Sequence, residues 1–195
     1  MNERQQIRQE IKAKRAALTA EQRKSANHLI AEQIIAAAIF KKSQKIACYM
    51  AKDAEVDLSA VIEVIFSLDK HCYLPLVRQD KPGYLHFVEY CANDKLQSGS
   101  FGILEPIFDS QKIIKPDDLD LVLLPVVAFD SKGNRLGTGG GYYDRTFALC
   151  HPESSEGSPL LIGAAYACQE VPQIKPHPWD VKLHGVVTEE EFRIF

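Results

Sequence analysis

The 195-residue sequence has no apolar run approaching the roughly 18–20 residues that cross a bilayer. Residues 1–15 alternate charged and polar side chains, so the apolar stretch of a secretion signal is missing too. The five cysteines are an odd number; none forms a CxxC pair, and none stands at a zinc-ligand spacing with histidine. This argues against a disulfide scaffold or a zinc module and predicts reduced thiols in a cytoplasmic protein. Neither sign of charge is in excess: 23 Lys and Arg stand against 26 Asp and Glu, a net charge of −3. Nucleic acid and membrane surfaces are therefore not expected partners. No internal repeat, low-complexity tract or linker interrupts the chain. Its length suits one α/β domain with a substantial core and is too short for two full-sized ones, so residues 1–195 are read as a single domain.

What is present is a regular alternation of elements. Residues 3–18 read as a helix on which Arg4, Arg8 and Lys12 share one face, by itself an ordinary solvated charge stripe. Thr19 and Gln22 have capping-box spacing and start a second helix with an apolar stripe of Ala26, Ile30, Ile34 and Ala37. Residues 45–51 read as a strand, followed by a polar loop at 52–55. A third helix, capped by Asp57 or Ser59, turns Val61, Ile62, Ile65 and Leu68 inward. Residues 71–77 form the next strand, so the middle of the chain reads as a parallel βαβ unit. Residues 84–90 alternate as a strand with one wetter face, and Gly99, Gly102, Pro106 and Pro116 break up 91–118. Residues 119–129 are the most apolar run, a strand buried on both faces that ends or bends at Pro125. A surface loop at 151–159 and strands at 160–167 and 185–188 complete the pattern. It predicts a three-layer α/β/α fold with a mostly parallel central sheet.

The segment most informative about chemistry is FDSKGNRLGTGGGYYDR, residues 129–145, between the buried strand and a helix starting near Tyr142. Such a layout lets backbone N–H groups approach an anion, with the helix terminus adding partial positive charge. It is neither a Walker A loop nor a GxGxxG dinucleotide loop. A tight strand-to-helix turn accounts for the glycines equally well. Arg135 upstream and Asp144 downstream add a cation for phosphate oxygens and a carboxylate for Mg²⁺. The six histidines have no ligand or triad spacing, and no catalytic role is assigned to them.

The run AFDSKGNRLGTGGGYYDR resembles the signature of the 5-formyltetrahydrofolate cyclo-ligase family. The basic first helix, KIACYMAKDAEVD, FGILEP at 101–106 and VPQIKPHPWDVKLHGVVTEE are similar to further family blocks, in order along nearly the whole chain. The resemblance implies a sheet of the NagB/RpiA/CoA-transferase kind. It also implies conversion of 5-formyltetrahydrofolate, with or without a polyglutamate tail, to 5,10-methenyltetrahydrofolate by a monomer using ATP and Mg²⁺. By that resemblance Arg4 and Arg8 grip phosphates, which changes the reading of their helix face, while Lys12 stays a solvated charge. Arg135, Leu136, Gly137, Thr138, Gly139, Gly140, Gly141, Tyr142 and Tyr143 form the nucleotide loop. Thr138, Gly139, Gly140, Gly141 and Tyr142 also meet the folate, together with Met50 and Glu55. Asp144 and Asp180 would hold the metal, and Arg135, Tyr143 and Asp144 are the catalytic candidates. Of the two tyrosines, one is expected to stack or donate a hydrogen bond and the other to pack the helix onto the sheet. One departure stands out: where some members carry a lysine in the glycine segment, this chain has Gly140. Two other readings remain open, a binding protein without turnover and a sugar-phosphate or CoA-handling enzyme on a similar sheet.

Overall fold

The computed structural model describes residues 2–99, 102–148 and 158–195. Cys150 and nearly all of the loop expected at 151–159 lie outside the described residues, as does Phe101 of the 101–106 block. The helices are α1 (Glu3–Ala17), α2 (Ala20–Ala36), α3 (Ala38–Lys42), α4 (Ser59–Ser67) and α5 (Tyr142–Phe147). The strands are β1 (Lys45–Ala47), β2 (His71–Val77), β3 (Leu85–Tyr90), β4 (Leu96–Ser98), β5 (Leu104–Pro106) and β6 (Ile113–Ile114). They continue with β7 (Leu121–Pro125), β8 (Ala128–Phe129), β9 (Arg135–Leu136), β10 (Leu160–Ala164), β11 (Gly185–Val187) and β12 (Phe192–Ile194).

Local chemistry sets the helix ends. Thr19 Oγ1 accepts from the Gln22 N–H at 3.1 Å, and Gln22 Oε1 accepts from the Thr19 N–H at 2.8 Å, closing the expected capping box. Asn2 Oδ1 accepts from the Arg4 N–H at 2.9 Å and starts α1. Ahead of α4, Asp57 Oδ1 accepts from the Ser59 N–H at 2.9 Å, although Leu58 occupies the cap position itself. Val61, Ile62 and Ile65 face inward as expected, but Leu68 is 54% exposed because the helix has ended and its side chain leaves the apolar stripe.

Among the described residues, eight strands form one sheet in the order β12-β11-β10-β7-β1-β2-β3-β6. The five inner strands from β11 to β2 run parallel; β3, β6 and β12 run antiparallel at the two edges. β1 and β2 pair with Ile46 opposite Cys72, which confirms the parallel βαβ unit. One face of the sheet packs under α2 and α4 through Ile30, Ile34, Val61 and Ile65 against Ile46, Leu74 and Leu123. The other packs through Phe87, Val122, Leu124 and Val186 against Phe147 of α5 and Phe129. This is the α/β fold expected, with helices flanking a mixed, mostly parallel sheet. The second outer layer is largely the short helix α5 and irregular chain. The strands at 45–51 and 160–167 are shorter than expected, ending at Ala47 and Ala164. The 119–129 run is not one strand: it leaves the sheet at Pro125 and continues as the separate β8–β9 hairpin.

That hairpin is organised by Asp130, which is fully buried. Its Oδ1 accepts from the Lys132 and Asn134 N–H groups at 2.9 and 3.0 Å. Its Oδ2 accepts from Asn134 Nδ2 and the Ile174 N–H, both at 2.9 Å. Burial alone raises the Asp130 pKa, but these bonds together outweigh it and hold the carboxyl below its ordinary value. Asp130→Ala is predicted to destabilise the protein by about 3 kcal/mol, read as a lower urea midpoint at unchanged m-value. Since the folded pKa is depressed, the Asp130 contribution is complete above the unfolded value of about 4 and is lost as pH falls through the folded one. The variant's deficit should therefore shrink only in strong acid.

Candidate active site

The sheet order reverses between β1 and β7, and the chain segments leaving the carboxyl ends of β1, β7 and β10 carry the candidate residues. Crevices at such a switch point are the usual ligand sites of open α/β sheets. After β1 come Met50 and Glu55. After β7 come the β8–β9 hairpin, the glycine loop at 137–141 and α5. After β10 the chain runs to Asp180. Helix α1 lies across the hairpin, with Ile11 packed among Val127, Ala128, Leu136 and Ile174.

Two arginine–aspartate pairs dominate the site. Arg135, only 7% exposed, donates from Nη2 to Asp144 Oδ1 at 2.6 Å. The Val181 N–H donates to the same oxygen at 3.2 Å, tying the 181 segment to α5. Arg135 Nη1 is buried and has no hydrogen-bond partner among the described residues. Arg4 donates from Nη1 to Asp180 Oδ2 at 2.7 Å, and the His177 N–H donates to that oxygen at 2.9 Å. Burial lowers the Arg135 pKa, while Asp144 and Asp180 both oppose it, so the two carboxylates surround one guanidinium. Arg8 is likewise lowered by burial and by Arg4, against Asp180. Burial pushes the Asp180 carboxyl up, but Arg4 and the His177 N–H prevail and lower it. The structure thus brings Arg4, Arg8, Arg135, Asp144 and Asp180 into one electrostatic cluster.

The glycine loop closes the cluster. Arg8 Nε donates to the Gly137 carbonyl at 2.8 Å. A Cβ on Gly137 would meet nothing within 4 Å, and one on Gly139 only the far end of Arg8. The loop is open at Gly137 and Gly139 and closely packed at Gly140 and Gly141, against Tyr142 and Arg145. Gly141, at φ 66°, takes the left-handed conformation that starts α5. A side chain at Gly140 would collide with the Tyr142 ring at 2.8 Å, so a lysine here would require that ring to move. Thr138 is exposed. Leu136 has a fully buried side chain in the core under α1, so it supports the hairpin instead of lining the cradle.

On the β1 side, Glu55 Oε2 accepts from the Lys52 N–H at 3.0 Å. Burial raises the Glu55 pKa, with that hydrogen bond and Arg15 opposing. Tyr49 holds the loop by donating to the Val56 carbonyl at 2.9 Å inside the core. Met50 is half-buried against the core. Tyr142 and Tyr143 both pack on the core, and Tyr143 stacks on Phe147 with ring centroids 6.3 Å apart. Burial raises the Tyr143 pKa, and the charges of Glu55 and Arg135 both act on it. Tyr143 is thus within electrostatic reach of both the Glu55 loop and the arginine cluster.

Mg²⁺ takes one or two carboxylates and completes its shell with phosphate oxygens and water. Among the described residues no group of three or more His, Cys, Asp or Glu forms a protein-only cage. Asp144 and Asp180 each commit one oxygen to an arginine and leave the other without a hydrogen bond among the described residues, a donor set that fits Mg²⁺ arriving with a phosphate ligand. Sequence patterns had given no role to Asp130, Tyr49, Arg15 or Arg145; Asp130 and Arg145 lie within the glycine motif itself, which was their available signal. Lys12 is exposed, as expected. The four described cysteines are free thiols, and no helix among the described residues is long and apolar enough to cross a membrane.

A model of the 5-formyltetrahydrofolate cyclo-ligase family matches residues 1–189. The chain is 36% identical over 184 residues to a 5-formyltetrahydrofolate cyclo-ligase of Haemophilus influenzae, covering 94% of this chain and 96% of that one. It is 33% identical over 178 residues to the Escherichia coli K12 protein of the same name, covering 91% and 96%. The NMR structure of Aquifex aeolicus 5,10-methenyltetrahydrofolate synthetase superposes with a TM-score of 0.82 at 30% identity, covering 98% of this chain and 92% of that one.

Removing Arg135 leaves Asp144 without its cation. Arg135→Met should lower stability by about 2 kcal/mol, and adding Asp144→Asn should recover part of that loss. Chemical denaturation of the two single variants and the double variant measures the coupling.

Proposed function

Because the chain belongs to the 5-formyltetrahydrofolate cyclo-ligase family, and is an enzyme converting 5-formyltetrahydrofolate to 5,10-methenyltetrahydrofolate, we propose that this site drives the ring closure with ATP and Mg²⁺. The formyl oxygen must be lost, and hydroxide is a poor leaving group. Transfer of the ATP γ-phosphoryl group to that oxygen makes an iminium phosphate. Attack by N10 on the activated carbon then closes the ring and expels inorganic phosphate, leaving ADP. The site's work is positioning and neutralising charge during phosphoryl transfer.

The observation that carries this reading is Arg135. It is buried and oriented by Asp144, its second terminal nitrogen has no hydrogen-bond partner among the described residues, and it stands two residues before the glycine loop. A guanidinium held this way suits a phosphate oxygen. Arg4 and Arg8 bring further positive charge from α1, and the N–H groups of residues 137–141 supply donors. Asp144 and Asp180 would hold Mg²⁺, which supplies neutralisation of phosphate charge. Glu55 accepts from the N–H and amino groups of the pterin, and Met50 packs on its flat face. Tyr143, within electrostatic reach of both Glu55 and Arg135, orients the reacting formyl group toward the phosphates. Residues 1–195 serve this reaction as one catalytic domain.

With Mg-ATP present, purified protein should convert 5-formyltetrahydrofolate to the near-UV-absorbing methenyl product with one ADP per turnover; with ATP omitted, no product should form. Arg135→Ala is expected to cut kcat/KM for ATP by about 10²–10³. Glu55→Gln should raise the folate KM about tenfold while leaving the ATP KM within about twofold. Product formation without ATP would overturn the reading, and equal effects of both variants on both substrates would overturn the division of roles.

A further inference from the structure

We propose that Arg145 is a positioning residue that clamps the end of the glycine loop next to α5, as Arg8 holds its start. Arg145 donates from Nε to the Gly83 carbonyl at 2.8 Å and from Nη2 to the Gly140 carbonyl. One guanidinium therefore bridges two segments far apart in the chain: the turn between β2 and β3, and the loop between β9 and α5. Its charge lies over the Tyr142 ring, 5.6 Å from the centroid.

The fit is close on both sides. A Cβ on Gly83, which has φ +89°, would lie 2.5 Å from Arg145 Nε, and a Cβ on Gly141 would lie 2.9 Å from Nη1. Both glycines thus leave room for the side chain. Arg4 and Arg135 are each neutralised by a carboxylate, whereas Arg8 and Arg145 bond backbone carbonyls at the two ends of the loop. Arg8 fixes the carbonyl of Gly137 and Arg145 that of Gly140. With both carbonyls held on guanidinium groups, the intervening N–H groups are set before a ligand arrives, and less ordering is left to binding.

Helix α5 does not depend on this clamp. Thr146 Oγ1 accepts from the Leu85 N–H at 3.0 Å in the core, and Phe147 packs on Phe87 with centroids 5.6 Å apart. Arg145→Ala should therefore fold with little change in melting temperature and loosen only the loop.

The proposal rests on the ATP-dependent reading for its kinetic test but not for its dynamic one. In the ligand-free protein, ¹⁵N relaxation should show the Gly139 and Gly140 order parameters falling from about 0.85 toward 0.6 in Arg145→Ala. In turnover the same variant should raise the ATP KM about tenfold and keep kcat within about threefold, with partial recovery in Arg145→Lys, which keeps the charge but lacks the planar fork of the guanidinium. Gly83→Ala, which pushes the guanidinium away from the turn, should raise the ATP KM as well. The Arg145→Ala/Gly83→Ala double variant should be no worse than Arg145→Ala alone. Unchanged order parameters, or additive effects in the double variant, would overturn the clamp. A wild-type protein that turns over without ATP would overturn the functional reading instead, and the relaxation measurement would still decide the role of Arg145.

Discussion

The Arg135–Asp144 contact joins the only two elements that frame the glycine loop, β9 before it and α5 after it. A guanidinium can be buried only when its charge is met, and Asp144 meets it at 2.6 Å. The pair therefore fixes how far apart the two ends of the loop stand. The Val181 N–H on the same carboxylate then draws in the segment that carries Asp180, and Arg4 on Asp180 draws in α1. Removing the pair would loosen α5 from β9 and from the 181 segment, while α1 keeps its own hold through Ile11 and through Arg4 on Asp180. One nitrogen of Arg135 has no hydrogen-bond partner among the described residues, and on the proposed reading it makes the cluster a site as well as a structural joint.

The fold supplies what the pair needs. β7 is buried on both faces and leaves the sheet at Pro125, which has no N–H with which to continue the ladder. The Asp130 network then turns the chain back as β8–β9 and delivers Arg135 to the carboxyl edge of the sheet. Because β1 lies beside β7, the Glu55 loop emerges at the same edge. On the proposed reading, the substrate's reacting formyl group and the phosphate donor meet there because two adjacent parallel strands end there.

Much of this was legible in the sequence, for physical reasons. The capping box and the βαβ unit are local patterns and formed as read; the apolar stripe of α2 formed through Ala26, Ile30 and Ile34 but stops before Ala37, which caps the helix, and the β8–β9 hairpin stands between the buried strand and the glycine loop. The family resemblance supplied the residues that local pattern leaves ambiguous, such as Arg4 and Arg8 on an ordinary-looking helix face. What escaped were features set by distant partners. Strands β4, β5, β6, β9 and β12 are two or three residues long and exist through pairing, which periodicity over so short a span does not reveal. Leu136 reads as a loop residue until α1 is seen to cover it. Asp144 and Asp180 read as metal ligands, and their arginine partners are visible only once β9, α1 and the 180 segment meet. Arg145 looked like any helical surface cation, since its acceptors are carbonyls of Gly83 and Gly140.

The central claim is that phosphoryl transfer to the formyl oxygen activates the carbon for ring closure. Its most direct measurement uses 5-formyltetrahydrofolate labelled with ¹⁸O in the formyl group, turned over with unlabelled ATP in unlabelled water, followed by mass analysis of the phosphate released. One ¹⁸O atom is expected in each inorganic phosphate formed. Unlabelled phosphate, with the ¹⁸O appearing in water, would contradict it.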